Sequence, residues 1–189
     1  MIFPENINGG SGFTPQSPET RGGMANVRQT EIPVTTPEHY ITGIYALNIP
    51  SEEGTTGDWH GEVFWHPVGV REPKRISLGG TAPFDTNPVF KDMGVREARQ
   101  SVTGMGLHVA EEIKEVYVAN HTRAILDLLM SEITVLGNAK GLNDASSDWL
   151  DTPEQKQKLL THAMELGTFL VRGQRAALAE WIEHEQSID

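Results

Sequence analysis

Hydrophobic positions follow two different spacings along this chain. Between residues 40 and 80, short runs of β-branched, aromatic and aliphatic residues alternate with turns that contain glycine and proline. This pattern is typical of strands, and three segments fit it: 40–50, 60–70 and 74–80. We therefore expect the N-terminal half to form a small antiparallel sheet.

Beyond residue 95 the apolar positions recur every three or four residues, which is helical spacing. A short helix is expected over 95–107, broken around its two glycines. From Val109 to Leu136 the spacing is sustained over about seven turns, and it predicts one long helix with Asn120 on its apolar stripe. A buried Asn120 would need a hydrogen-bond partner. Such a residue is more often a hydrogen-bonded part of the core than a functional site.

A further helix is expected from residue 153. Asp151 or Thr152 can cap it, Pro153 fits the first turn, and Glu154 opposes the helix dipole. Its apolar stripe consists of Leu159, Leu160, Ala163, Leu166, Phe169 and Leu170, and the helix could continue past Gly173. Because strands precede helices without βαβ alternation, we expect an α+β fold, with the sheet packed on two or three C-terminal helices.

The first 36 residues are rich in Gly, Pro, Ser, Thr and Asn and show no period. Such a segment buries too little apolar surface to offset its ordering entropy, so residues 1–36 are predicted to be a flexible tail. Residues 37–189 then form a single domain, a size that can bury one core. Met24 follows "RGG" and is a candidate for the natural start.

Charge and composition narrow the classes of function. The chain has 26 acidic and 15 basic residues, a net charge of −11, and no cysteine. Disulfides, thiolate metal sites and cysteine nucleophiles are therefore excluded. The negative charge disfavours direct binding to nucleic acid and favours a basic protein partner. No apolar run is long enough for a membrane span, and no signal peptide is recognisable, so we expect a cytoplasmic protein.

The segment "TTGDWH" and the residues after it are the candidate metal site. If residues 59–66 form a strand, alternation places His60, Glu62 and His66 on one face, and Trp59, Val63 and Trp65 on the core face. With Asp58, the first three could bind a divalent transition metal. The more frequent alternative is that these side chains are structural or face solvent; in that case no cofactor is expected.

Two further catalytic patterns are weaker. "HGE" matches the opening of the zinc nucleobase deaminases, but that family needs a downstream cysteine pair, which this chain lacks. Asp58, Glu72 and Lys74 resemble the metal-binding core of restriction-type nucleases. Pro73 argues against a strand that carries Glu72 and Lys74, and the acidic charge disfavours a DNA substrate.

The C-terminal segment "LAEWIEHEQSID" combines an aromatic residue with carboxylates. If the last helix extends past the core, Trp181, Ile182 and Glu185 are exposed, and an aromatic anchor rimmed by acids suits a protein contact. The alternative is that Trp181 and Ile182 cap the core.

Four segments resemble a known group: "YALNIPSEEGTTGDWH", "SLGG", "DTNPVFKDMGV" and "VYVANHTRAILDLL". They are similar to small uncharacterised bacterial proteins of abortive-infection and toxin–antitoxin-type loci, encoded near nucleotidyltransferase toxins. The likeness covers roughly residues 40–160. It implies a role in a toxin–antitoxin or phage-defence locus, as the neutralising partner, and supplies no catalytic residue.

The sequence therefore favours a non-enzymatic protein-binding module, antitoxin-like or accessory to phage defence, that occludes a partner through an acidic helical surface. Two alternatives stay open. One is a metal-binding protein or metal-dependent hydrolase built on His60, Glu62 and His66. The other is an acidic mimic of nucleic acid that inhibits a nuclease, which would bind its target in a salt-sensitive way.

Overall fold

A computed structural model describes residues 30–54, 64–65 and 75–188. Helices dominate it, and a two-stranded antiparallel sheet completes an α+β fold, so the predicted fold class is confirmed. The elements are α1 (Gly43–Leu47), α2 (Asn87–Phe90), β1 (Val95–Glu97), α3 (Arg99–Gly104), β2 (Tyr117–Ala119), α4 (His121–Leu136), a 3₁₀ turn (Lys140–Leu142), α5 (Ala145–Trp149), α6 (Pro153–Leu166) and α7 (Arg172–Gln186).

The two strands lie later in the chain than predicted. β1 pairs with β2, with Arg96 opposite Val118. The predicted strands at 40–50 and 74–80 contribute only single bridges: Ile41 pairs with Val118 on one side and with Leu78 on the other. The extension stops after Ile41 because Gly43 has φ +62°, a left-handed conformation that turns the chain into α1.

Helix α4 is shorter than the predicted helix over 109–136. It begins at His121 because Asn120, at ψ 171°, is its N-cap and accepts a hydrogen bond from the Arg123 amide (2.9 Å). The preceding residues form β2 instead, with Val116 and Val118 buried. Val116 and Val118 are two positions apart, a spacing that fits a strand as well as a helix. The N-cap at Asn120 sets the boundary between β2 and α4. The helix ends at Leu136 as predicted, with Gly137 left-handed.

The predicted start of the next helix is confirmed. Thr152 and Gln155 form a reciprocal capping box around Pro153 at the start of α6. The predicted stripe is buried except for Phe169, which is 56% exposed. Phe169 lies outside the helix because α6 ends at Leu166 and the chain turns before a separate helix, α7, begins.

This cap gives a first testable expectation. Thr152→Ala removes the side-chain acceptor for the Gln155 amide, and we expect the free energy of unfolding to fall by about 1 kcal/mol. The matched control is Thr161→Ala, on the exposed side of the same helix, where alanine has the higher helix propensity. Urea denaturation should separate the two, and equal losses would contradict a capping role.

The N-terminal boundary of the folded part differs from the predicted one. Ile32 is 4% exposed, and its amide donates to the His108 carbonyl (3.4 Å). The Thr35 hydroxyl accepts from the Tyr117 amide (2.7 Å). Residues 30–36 therefore pack on the domain through apolar contacts and hydrogen bonds, which the composition of the segment did not indicate. The rest of the predicted tail, 1–29, lies outside the described residues.

Phe64 and Trp65 test part of the predicted strand over 60–70. Both have helical backbone, so the predicted extended conformation is wrong for these two residues. Trp65 is nevertheless buried, as predicted, and its indole N–H donates to the Asn48 carbonyl (3.0 Å). Their neighbours at 55–63 and 66–74 lie outside the described residues.

Helix α4 forms the centre of the core. Ile125, Leu126 and Leu129 have no exposed surface, and α1, α6 and α7 pack around this helix. Among the helices of the described residues, none combines the length and apolar character needed to cross a membrane.

Candidate functional site

A charged pair lies inside the apolar sequence of α4. Arg123 and Asp127 are one turn apart, and their Nε and Oδ1 atoms are 3.2 Å apart. Neither side chain has any exposed surface. Placing two charges inside a core costs several kcal/mol per ion unless both are paired and hydrogen-bonded, so the surroundings of this pair determine what it can do.

The Asp127 carboxylate accepts hydrogen bonds from four directions. Besides Arg123, the hydroxyls of Tyr40 (3.0 Å), Thr42 (2.6 Å) and Thr86 donate to it. Burial raises the pKa of Asp127, while Arg123 and these donors lower it. Four donors occupy the lone pairs that a carboxylate offers. The carboxylate is therefore saturated.

Tyr40 stays a hydrogen-bond donor in this environment. Burial raises the pKa of its hydroxyl, and the neighbouring Asp127 carboxylate raises it further. The Tyr40 ring also lies under the Arg123 guanidinium, 5.1 Å from its carbon, and the backbone at Gly79 packs against the ring so closely that a Cβ there would overlap it. The Tyr40 side chain is therefore packed against the guanidinium and the Gly79 backbone while its hydroxyl donates to Asp127.

The guanidinium of Arg123 binds the segment that leads into β1. It donates to the carbonyls of Lys91 (3.0 Å) and Met93 (2.8 Å) and to the side-chain oxygen of Asn87 (2.6 Å). Its carbon also lies 5.6 Å from the centre of the Phe90 ring. Arginine suits this position because its planar group offers five donors in fixed directions.

We call the set Tyr40, Thr42, Thr86, Asn87, Arg123 and Asp127 the polar centre. It joins α4 to the extended segment around Ile41 and to the turn before β1. Every charged atom in it is hydrogen-bonded, and the two charged side chains have no exposed surface. The polar centre therefore holds three segments in register.

His121 occupies a second buried position, at the first turn of α4. Its Nδ1 lies 3.0 Å from the Trp149 carbonyl oxygen and its Nε2 lies 3.2 Å from the Ile49 carbonyl oxygen. A neutral imidazole has one N–H and donates to one of the two carbonyls at a time. Gly54 packs against this contact, and a Cβ there would overlap both the Trp149 oxygen and the imidazole.

His121 and Arg123 are two positions apart on α4, and their contacts are separate. The sequence did not identify the polar centre. The one available signal was the i,i+4 pair of opposite charges in "TRAILDLLM", an otherwise apolar helical stretch. Tyr40, Thr42 and Thr86 carried no signal, since their role depends on packing between distant segments.

The predicted metal ligands Asp58, His60, Glu62 and His66 lie outside the described residues, as do Glu72 and Lys74. Within residues 30–54, 64–65 and 75–188, no three His, Asp or Glu side chains are grouped to hold a metal ion. The metal hypothesis therefore stays a prediction that rests on the sequence.

That hypothesis has a direct check. If these residues bind a transition metal, protein purified without a His-tag should carry about one ion per chain, and His60→Ala should lose it because a ligand is removed. Elemental analysis measures both. His39→Ala, at an exposed histidine on the described surface, is the control and should retain the metal. Metal-free wild-type protein would contradict the hypothesis.

The C-terminal aromatic residue is not an exposed anchor. Trp181 is 2% exposed, and its indole N–H donates to the Leu142 carbonyl (2.9 Å). Glu185 is also buried and accepts from the Ser146 amide (3.0 Å), while Ile182 is half-buried. α7 lies along the core rather than extending past it, which is the core-capping alternative, so the exposed arrangement expected for these three residues is wrong.

Carboxylates cluster on the surface next to Trp181. His184 Nε2 donates to the Asp144 carboxylate (2.8 Å), and this contact joins the end of α7 to the start of α5. Glu180 is one turn before His184 and three residues before Glu183, and the Asp148 amide donates to the Asp144 carbonyl (2.9 Å), so these residues lie near the contact between His184 and Asp144. We call Asp144, Asp148, Glu180 and Glu183 the acidic face; all four are exposed. Among the described residues, His184 is the one ion-pair partner of this set.

A hollow of about 170 Å³ opens at the edge of the acidic face. Trp181 and Ala177 provide an apolar wall, and Glu180, His184 and Lys140 provide polar groups. Trp181 thus lines a surface hollow although almost all of the residue is covered.

No protein-family model, curated protein or solved structure matches this chain.

Proposed function

We propose that this chain is a non-enzymatic protein-binding module that occludes a basic surface of a partner protein. The acidic face carries the proposal: four exposed carboxylates lie together on α5, on α7 and at the junction of the two. Complementary charge across an interface accelerates association and fixes register more than it adds affinity. A basic protein surface is the partner chemistry that this face fits.

The hollow beside Trp181 suggests how specificity is added. Its volume, about 170 Å³, suits a lysine or arginine side chain, whose apolar stem would contact Trp181 and Ala177. The charged end would lie near Glu180. Lys140 lines the same hollow and is exposed, so its flexible side chain can move toward solvent when a cation enters.

The polar centre supports this proposal indirectly. Its charges are saturated by Tyr40, Thr42, Thr86 and backbone carbonyls, so its chemistry is used in holding the fold. We further propose, from the resemblance of residues 40–160, that the partner belongs to a toxin–antitoxin or phage-defence system and that this chain neutralises it or accompanies it.

Affinity capture from the native host tests the proposal. We expect one stoichiometric partner whose retention falls as salt is raised. Glu180→Lys/Glu183→Lys should reduce its capture at least tenfold, because like charges then face each other at the interface. The matched control is Glu111→Lys/Glu112→Lys, which makes the same charge change in the exposed loop before β2.

Two results would contradict the proposal. Capture of no stoichiometric partner removes its basis. Equal loss in both double variants shows that net charge matters and that the acidic face is not the contact surface.

A further inference from the structure

The segment Ile76–Gly79 forms one edge of the extended region. Its neighbour on the inner side is Ile41: the Ser77 carbonyl accepts from the Thr42 amide (3.0 Å), and the Gly79 amide donates to the Tyr40 carbonyl (2.8 Å). Ile41 pairs in turn with Val118 of β2. The order across the sheet is β1, β2, the Ile41 segment and then Ile76–Gly79.

The outer edge of this segment has unused backbone groups. Along an extended chain, alternate residues direct their N–H and C=O groups to opposite sides. The backbone N–H and C=O groups of Ile76 and Leu78 therefore point away from Ile41. The Leu78 carbonyl accepts from the Thr81 hydroxyl (3.0 Å). In the described part of the chain, the amides of Ile76 and Leu78 and the Ile76 carbonyl have no hydrogen-bond partner, and both residues are partly exposed.

An apolar hollow accompanies these groups. It has a volume of about 350 Å³ and lies between residues 75–78 and the turn 81–84, with Ile76, Leu78, Pro83 and Phe84 among its walls. A row of unpaired backbone groups is a template for pairing with another strand. A side-chain hollow beside such a row is the arrangement by which domains bind extended peptides.

A cation lies at this edge. Arg75 lines the hollow and is exposed, and it makes no ion pair in the described part of the chain. A carboxylate on the bound segment would therefore find a cation beside the hollow.

We propose that the outer edge of Ile76–Gly79 binds an extended segment of a partner protein by strand addition. The segment would place an apolar side chain in the hollow and a carboxylate beside Arg75. This edge involves none of the residues of the acidic face, so the proposal does not depend on the proposed function.

A phage-displayed library of random octapeptides, selected on the full chain, tests the proposal. We expect the selected peptides to share a β-branched or aromatic residue and an acidic one. In ¹H–¹⁵N spectra the best peptide should shift the amides of Ile76, Ser77 and Leu78 first. A copy N-methylated at alternate residues should bind at least about tenfold more weakly, because it has lost the donors of one edge.

Arg75→Glu should weaken the acidic peptide about tenfold. Arg175→Glu, the same change at an exposed arginine on α7, should leave its affinity unchanged. Unaltered amide positions outside residues 75–84 show that each variant is folded.

Several outcomes would overturn the proposal. If the selected peptides shift amides elsewhere, or if no peptide is selected, this edge is not a peptide-binding site. Equal affinity for the N-methylated copy shows apolar contact without strand pairing. If the same amides shift with protein concentration and no peptide, the edge pairs with a second copy of this chain and not with a partner segment.

Discussion

Replacing Arg123 with methionine is expected to lower the free energy of unfolding by about 3–5 kcal/mol. The substitution keeps much of the side-chain volume but leaves the Asp127 carboxylate buried without its cation. It also removes the donors to the Lys91 and Met93 carbonyls. Urea denaturation followed by circular dichroism measures the loss. Arg175→Met, at an exposed arginine, should change stability by no more than about 0.5 kcal/mol.

The double variant Arg123→Met/Asp127→Leu separates charge from packing. If an uncompensated charge is the main cost, removing it should recover part of the stability lost in Arg123→Met. Recovery should stay incomplete because the hydroxyls of Tyr40, Thr42 and Thr86 lose their shared acceptor. A double variant that is less stable than Arg123→Met would show that these hydrogen bonds outweigh the charge.

Gly54→Ala is expected to cost about 1–3 kcal/mol, since the added methyl group overlaps the Trp149 carbonyl and the imidazole of His121. The Trp149 carbonyl is part of the packed backbone and the His121 ring is fully buried, so neither can move aside alone. The ring resonances of His121 should shift together with the loss of stability.

Gly173→Ala is the matched control for that substitution. A Cβ at Gly173 would meet no atom within 4 Å, and the residue lies in the first turn of α7. Because alanine has a higher helix propensity than glycine, the variant should be as stable as the wild type or more stable by up to about 1 kcal/mol. Thermal unfolding compares the two variants. A similar loss of stability in both variants would mean that the conformational freedom of glycine is the cause, and that the close contact at Gly54 is not.

Local signals in the sequence were sufficient for the start and the apolar stripe of α6. The cap at Thr152, Pro153 in the first turn and the stripe from Leu159 to Leu166 specify α6 without help from the rest of the chain. These features act within one turn of helix, so a single sequence contains them completely.

The extended segments were harder to place for a physical reason. A strand has no hydrogen bonds of its own, and its neighbours are distant in sequence. Ile41 pairs with Leu78 and Val118, and the sequence around each offered several similar apolar runs. Gly43 decided where the extended conformation stops, through a positive φ that is visible only once the fold is known.

The polar centre could not have been assembled from the sequence. Arg123 and Asp127 form a visible pair, but the hydroxyls that saturate it come from residues 40, 42 and 86. Threonine and tyrosine are common in strands and turns for other reasons. Only the packing of those segments on α4 shows that they share one carboxylate.

Residues 40–42 belong to two structures at once. Their backbone pairs with β2 on one side and with Ile76–Gly79 on the other, while the side chains of Tyr40 and Thr42 bind Asp127. The sheet edge and the centre of the helical core therefore form one cooperative unit. Peeling this segment from β2 would also deprive Asp127 of two donors. Through residues 40–42, the edge at 76–79 is thus joined to the least accessible charges of the described molecule.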